Sequence, residues 1–429
     1  MDIRVRKSKK IQGEIEVPGD KSISHRAMML GSLSHGITEV KNFLMGADCL
    51  STIECFRAMG AQFEQTGETS VIVKGMGLKG LNEPGDVLNV GNSGTTIRLM
   101  MGILAGQPFF STVTGDDSIR KRPMARVAAP LREMGALIDG REAGNLAPIT
   151  VRGGNLKPIE FVSPVASAQV KSAVILAGLY ASGVTTIKEP QKSRDHTERM
   201  LVYLGAQICV NESTVQVTGG AELVGRPIEV PGDISSAAFF MVAAAILPDS
   251  LIRINRVGLN PTRTGIIDVL LNMGADLQIT NEGEVNGEPI GDIIVKGGNK
   301  LRGVVIEGSL IPRLIDEIPI IAVAAAAAEG ETTIRDAAEL KVKETNRIAT
   351  VAGELAKLGV EITQTDDGMI ISGGSSLTGA ICESHGDHRI AMTAAIAGLA
   401  ADGETMVSNA GCVNVSFPGF SNLLGKLVV

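Results

Sequence analysis

Six stretches of the chain share one pattern: a small polar or acidic residue, about three turns of apolar and Ala-rich sequence, and a stop near Gly, Asp or Ser. They read SISHRAMMLGSLSHG from Ser22, SGTTIRLMMGILAGQ from Ser93, SAQVKSAVILAGLYASG from Ser167, SSAAFFMVAAAILPDS from Ser235, DEIPIIAVAAAAAEG from Asp316 and DHRIAMTAAIAGLAADG from Asp387. The starts lie 71, 74, 68, 81 and 71 residues apart. Ser or Asp in front suits an N-cap, and Gly behind suits a helix stop. Apolar residues on nearly every side predict helices buried all round.

A second pattern fills the intervals. A short β-branched run, such as GVTTIKE or GETTIRD, leads into a polar loop and an amphipathic helix closing on Gly60, Gly135, Gly205, Gly274 or Gly359, with Gly425 as a sixth. Each pass reads as buried helix, strand, loop, amphipathic helix, then strands, which predicts six α/β repeats of about seventy residues. EVPGD precedes the first repeat at 16–20 and the fourth at 229–233. A partial copy, EPGD at 83–86, shows that Pro-Gly-Asp alone is turn chemistry. The matched spacing favours two similar domains of three repeats. One spans 18–231; the other joins 1–17 to 232–429, with hinge crossings near 17–20 and 230–233.

Composition narrows the class. At 429 residues, two or more cores are expected. With no Trp, 2 Tyr and 10 Phe, the interior is expected to pack small helices and strands without aromatic anchors. The same scarcity, with a net charge of −7, argues against nucleic acid. No apolar run is long enough to span a bilayer, and the five cysteines form no CxxC pair or zinc spacing. A soluble cytoplasmic protein with reduced thiols and no metal is expected.

Cations gather at the helix starts of this acidic chain. Lys21 and Arg26 follow the first EVPGD, and no charge follows the second. Arg98, Lys171, Arg389, RKR at 120–122, KSR at 192–194 and KVKETNR at 341–347 take comparable places. A helix start presents unpaired N–H groups and partial positive charge, so starts converging on a cleft would suit a small polyanion. GNSGTT at 91–96 offers glycines for a close anion but lacks the P-loop signature. Asp316 and Glu344 lie deepest in this basic setting, either as salt bridges that offset it or as acid–base groups.

PGDKSISHR, GNSGTTIR, RKRPM, SAQVKSAV, RDHTERM, LIDEIP, KVKETNR and GDHR, in this order along essentially the whole chain, resemble the 5-enolpyruvylshikimate-3-phosphate synthase family of bacteria. The resemblance implies an α/β (α+β) enolpyruvyl transferase fold: two domains of three βαβαββ units, each an inside-out α/β barrel. It implies a transferase that moves the enolpyruvyl group of phosphoenolpyruvate to the 5-hydroxyl of shikimate 3-phosphate. The implied enzyme is a monomer acting on two small molecules, without cofactor, metal, nucleic acid or membrane. It further implies that Lys21, Ser22, Arg26, Ser167, Ala168, Gln169, Arg194, Asp316 and Lys343 contact shikimate 3-phosphate. Lys21, Asn92, Gly94, Arg122, Gln169, Arg347 and Arg389 would contact phosphoenolpyruvate. Asp316 is the implied base, with Glu344 and Lys21 supplying a proton to the methylene carbon. Two departures stand out: Val415 replaces a lysine common in the family, and Ala168 replaces a serine. The rival readings are the sister transferase acting on UDP-N-acetylglucosamine, whose loop cysteine is missing from TGDDSIRKRPM, and a non-catalytic anion-binding protein.

Overall fold

A computed structural model describes residues 1–428. It falls into two compact units. The first comprises Gly19–Val230 with Glu284–Glu288, and is called here the 19–230 unit. The second, the C-terminal unit, comprises Met1–Pro18, Pro231–Gly283 and the chain from Pro289 onward.

Helices of eight or more residues come in pairs, a buried one followed by an amphipathic one. In the 19–230 unit they are α1 (Lys21–Leu33) and α2 (Ala47–Ala58), α3 (Gly94–Ala105) and α4 (Ala125–Glu133), α5 (Ala168–Gly178) and α6 (His196–Tyr203). The C-terminal unit continues with α7 (Ile234–Ile246) and α8 (Gly265–Asn272), α9 (Ile318–Ala327) and α10 (Arg347–Lys357), α11 (His388–Ala400) and α12 (Phe420–Leu427). Every residue of α7 from Ile234 to Ala245, and of α9 from Ile318 to Ala326, is buried. The Ala-rich composition lets these helices approach closely. At the contact of α3 with α5, a Cβ on Gly102 would lie 2.2 Å from the Ala173 carbonyl oxygen. Only glycine fits there.

Among the described residues, five four-stranded sheets and one three-stranded sheet stand around the buried helices. In the third repeat, Glu160–Val162 runs parallel to Val184–Lys188 across α5. The antiparallel strands Thr214–Thr218 and Ile208–Asn211 complete that sheet. Each unit starts its cycle on a strand distant in sequence, the end of the 19–230 segment in one case and the N-terminal segment in the other. Ile228–Glu229 pairs in parallel with His35–Lys41, and Gln12–Glu16 with Leu251–Gly258. The N-terminal strand Ile3–Arg6 adds antiparallel to Glu404–Ser408 of the last repeat.

The repeated EVPGD acquires its meaning at the helix starts. Asp20 accepts the N–H of Ile23 and Asp233 that of Ser235, so the Asp of each copy caps a buried helix. The caps therefore fall two residues before the expected Ser22 and Ser235 starts, whereas Ser93, Ser167 and Asp387 cap as expected. The fifth helix begins at Ile318, has no side-chain cap, and carries Pro319 in its first turn. The two copies run side by side, with the Asp233 N–H donating to the Pro18 carbonyl at 2.9 Å. EPGD at 83–86 caps no helix and forms only a bend.

Two expectations need correction. The stretch 232–429 is not one piece of the C-terminal unit, because the tip of its long hairpin, Glu284–Glu288, belongs to the 19–230 unit. The chain thus passes between units at 18/19, 230/231, 283/284 and 288/289, not only at the EVPGD copies. Aromatic anchors also exist: Phe240 lies 5.8 Å from Phe417 and 5.9 Å from Phe420, joining α7 to α12 and the turn before it. Among the described residues, no helix is long and apolar enough to cross a membrane.

Candidate active site

In the 19–230 unit the starts of α1, α3 and α5 are bonded to one another. A buried polar chain runs from His25 Nδ1 to Thr52 Oγ1 (2.7 Å), on to Thr96 Oγ1 (2.8 Å), and to the capping Ser93 Oγ (2.7 Å). Burial, reinforced by Lys21 and Arg26, holds the His25 imidazole well below its ordinary pKa, so it is neutral in this chain. Across the next interface, Arg98 Nη1 donates to Gln169 Oε1 at 2.8 Å, and Gln169 Nε2 donates to Thr95 Oγ1 at 3.3 Å.

The expected ligands of this unit lie on that framework. Lys21 Nζ pairs with Asp48 at 3.2 Å. Arg26 is buried and spreads its guanidinium over Thr197 Oγ1 (2.6 Å), the Ser22 carbonyl (2.9 Å) and Ser172 Oγ (2.9 Å). Burial pushes its pKa down to about 10, opposed by Glu198 and Asp20 and assisted by Arg194, which places a second cation nearby. Arg122 donates to Asn92 Oδ1 at 2.8 Å and Ser118 Oγ at 2.9 Å. Gly94 sits against two of these cations, since a Cβ there would lie 2.9 Å from Arg98 Nη1 and 3.2 Å from Arg122 Nη1. Ser167 caps α5 and its N–H donates to Glu189 at 3.0 Å. Ala168 opens α5 without a hydroxyl to offer.

Lys171 departs from the expectation. Its ammonium is buried between Glu189 (3.0 Å) and Glu198 (2.8 Å), an internal ion pair that joins α5 to α6. Burial alone would lower its pKa, but the two carboxylates more than compensate and raise it.

In the C-terminal unit the starts of α7, α9 and α11 meet in the same way. Arg347, 1% exposed, opens α10 and bonds three carboxylates: Asp387 (2.8 Å), Asp316 (3.1 Å) and Glu344 (2.5 Å). Lys343 Nζ adds a second cation to Asp316 at 3.3 Å. Arg389 donates to the Asp316 carbonyl at 2.8 Å and pairs with Glu317 at 3.5 Å. Glu317 in turn accepts from Ser235 Oγ, which also accepts from the buried Arg263 at 2.8 Å. Burial disfavours the Asp387 carboxylate, but Arg347 overrides it and holds the group below the usual range. Val415 ends a 3-10 turn and contributes no charge.

The structure therefore seats Lys21, Arg26, Arg122 and Gln169 about the bonded helix starts of one unit, and Asp316, Lys343, Glu344 and Arg389 around Arg347 in the other. Sequence reading missed their partners Asp48, Ser172, Thr197, Arg263, Glu317 and Asp387 in its residue assignments. Asp48 is 27 residues from Lys21 and Asp387 is 40 from Arg347, so no local spacing exposes the pairs. Among the described residues no His, Cys, Asp or Glu side chains group to hold a metal ion.

Each cluster sets oriented cations and helix N-termini beside carboxylates, an arrangement whose chemistry suits phosphate or carboxylate groups and proton transfer next to them. A family profile described as EPSP synthase (3-phosphoshikimate 1-carboxyvinyltransferase) matches residues 5–424. A 3-phosphoshikimate 1-carboxyvinyltransferase of Pelotomaculum thermopropionicum is 59% identical over 429 residues, covering 100% of this chain and 99% of its own. The protein of the same name from Desulforamulus reducens is 58% identical over 429 residues, with 100% of both chains covered. Among solved structures, an EPSP synthase from Acinetobacter baumannii superposes with a TM-score of 0.89 at 44% identity, covering 100% of this chain and 98% of that one. With the profile spanning nearly the whole length and relatives this similar, the chain belongs to the EPSP synthase family.

Proposed function

We infer that the chain is a shikimate-pathway transferase that moves the enolpyruvyl group of phosphoenolpyruvate to the 5-hydroxyl of shikimate 3-phosphate and releases phosphate. The observation that carries this reading is the full-length family match. Two polyanions side by side need dense positive charge to offset their repulsion, and the helix-start clusters supply it.

Residue roles follow as part of the proposal. Lys21, Ser22, Arg26, Ser167, Ala168, Gln169 and Arg194 hold shikimate 3-phosphate, with Arg26 and Arg194 on its phosphate. Asp316 and Lys343 hold its hydroxyl side. Lys21, Asn92, Gly94, Arg122, Gln169, Arg347 and Arg389 hold phosphoenolpyruvate. The forks of Arg122 and Arg389 suit its carboxylate and phosphate. Binding exchanges present partners for substrate, as when Lys21 trades Asp48 for an anionic oxygen.

Asp316 takes the proton of the 5-hydroxyl as the oxygen bonds to C2 of phosphoenolpyruvate. Glu344, with Lys21, gives a proton to the methylene carbon, and a tetrahedral intermediate results. The Glu344 carboxylate then takes a proton back from the new methyl group as the C2–O bond to phosphate breaks, which restores the double bond and releases phosphate. Arg347 bears on both groups, because one guanidinium bridges the carboxylates of Asp316 and Glu344 and fixes their placement. The reading carries with it a cytoplasmic monomer; the five cysteines, free of disulfides, accord with a reducing compartment. Phosphate release measured with each substrate omitted in turn tests the function. Release that requires both substrates is expected, and release with a UDP-sugar in place of shikimate 3-phosphate would overturn it.

A further inference from the structure

The hairpin of Asp276–Val285 and Glu288–Lys296 turns at Asn286 and Gly287, whose φ angles are 48° and 81°. Loop tips usually stay on the surface and make few buried contacts. This one does otherwise. The Asn286 side chain brackets Glu229, accepting from its N–H at 3.0 Å and donating to its carbonyl at 2.7 Å. Glu229 ends the strand that leads into the 230/231 crossing. The Gly287 carbonyl accepts from Arg199 Nη1 at 2.8 Å. Glu288 is 3% exposed, and its Oε1 lies 2.7 Å from Nδ1 of His196, itself 2% exposed.

Two of these contacts, Gly287 to Arg199 and Glu288 to His196, reach the first turn of α6, which carries no expected substrate ligand but bonds one, Arg26, and adjoins another, Arg194. Arg194 precedes the turn by two residues. Thr197, next to His196, accepts from Arg26 Nε at 2.6 Å and shares a 2.7 Å hydrogen bond with Ser172. A buried carboxylate costs several kcal/mol unless paired, so an apolar residue would anchor a tip at lower cost. What the Glu288–His196 pair adds is a single orientation. The Glu288 charge also reaches Arg26, favouring the protonated guanidinium that burial disfavours.

We propose that Glu288 is a positioning residue for shikimate 3-phosphate: through His196 it fixes the first turn of α6, and with it Arg26 and Arg194. The inference rests on the reading of those two arginines as ligands of the substrate phosphate. In the full-length enzyme, Glu288→Ala and His196→Ala should each raise KM for shikimate 3-phosphate about tenfold, leave KM for phosphoenolpyruvate within about twofold, and not add in the double variant. Glu288→Gln keeps an oxygen acceptor for the imidazole and should restore most of the loss. If Glu288→Ala does not fold, His196→Ala, which removes the other half of the pair, carries the comparison. A lowered Tm with both KM values unmoved, or equal rises in both, overturns the proposal. Arg194→Ala separates the two layers. If it leaves KM for shikimate 3-phosphate unchanged, the phosphate reading itself fails; if it raises that KM while the Glu288 variants do not, only the present inference fails.

Discussion

Arg347 engages Asp316, Glu344 and Asp387 at once, so a change at any of the three carboxylates alters the neighbourhood of the others. Asp316→Asn keeps the shape of the side chain and removes its capacity to take a proton. A fall in kcat of about 10²–10⁴ is expected, with Kd for shikimate 3-phosphate changed only a few-fold. Single-turnover kinetics beside calorimetry checks this, and parallel losses would mark Asp316 as a binding group. Gly94 tests the cluster of the 19–230 unit. Its missing Cβ leaves room for the guanidinium ends of Arg98 and Arg122 at 2.9 and 3.2 Å from where that atom would stand. Gly94→Ala should displace both and raise KM for phosphoenolpyruvate about tenfold or more, while KM for shikimate 3-phosphate moves little. The candidate ligands at this scale were legible because each sits in a short motif. Their partners were not, since Asp48, Thr197 and Asp387 reach Lys21, Arg26 and Arg347 only through the fold.

At the scale of elements, the alternation of a buried, largely apolar helix with an amphipathic one was readable along the chain, and the described residues show it in twelve helices of eight or more residues. Sheet membership was less so, because strands such as Ile228–Glu229 and Gln12–Glu16 pair with partners far along the chain. Lys171 shows how an element-level contact can resemble a ligand. It appears at a helix start like the other cations, but tertiary packing places Glu189 and Glu198 around it. Lys171→Met would leave two buried carboxylates without their cation, and a loss of about 3–5 kcal/mol in unfolding free energy is expected from denaturant titration. The folded pKa of Lys171 lies above its unfolded value of 10.5. Its contribution is therefore complete below that pH and lost as pH rises through the higher folded value. A variant as stable as the parent at neutral pH would show that the pair contributes nothing net.

Across the whole molecule, acid stability follows from carboxylates that the fold pairs with cations. Burial favours protonation of Asp387, yet Arg347 holds its pKa below the ordinary 3.8. Burial likewise disfavours the Asp292 carboxylate, yet the Arg256 N–H, Arg253 and Asn281 together outweigh it and hold its pKa below the ordinary value. A depressed folded pKa means that the unfolded chain binds more protons as pH falls, so stability is complete above about pH 4 and is lost through the folded values below it. Asp387→Asn should flatten this slope in an acid titration of Tm; an unchanged slope would assign it to other groups. Repeat number, helix type and the placing of cations at helix starts were determined by the chain alone, because they depend on local period and capping chemistry. Which carboxylate faces which cation, and the transfer of Glu284–Glu288 to the 19–230 unit, were decided only by tertiary structure. Those choices depend on residues tens to hundreds of positions apart meeting in space, and no local pattern of apolar and polar residues encodes such a meeting.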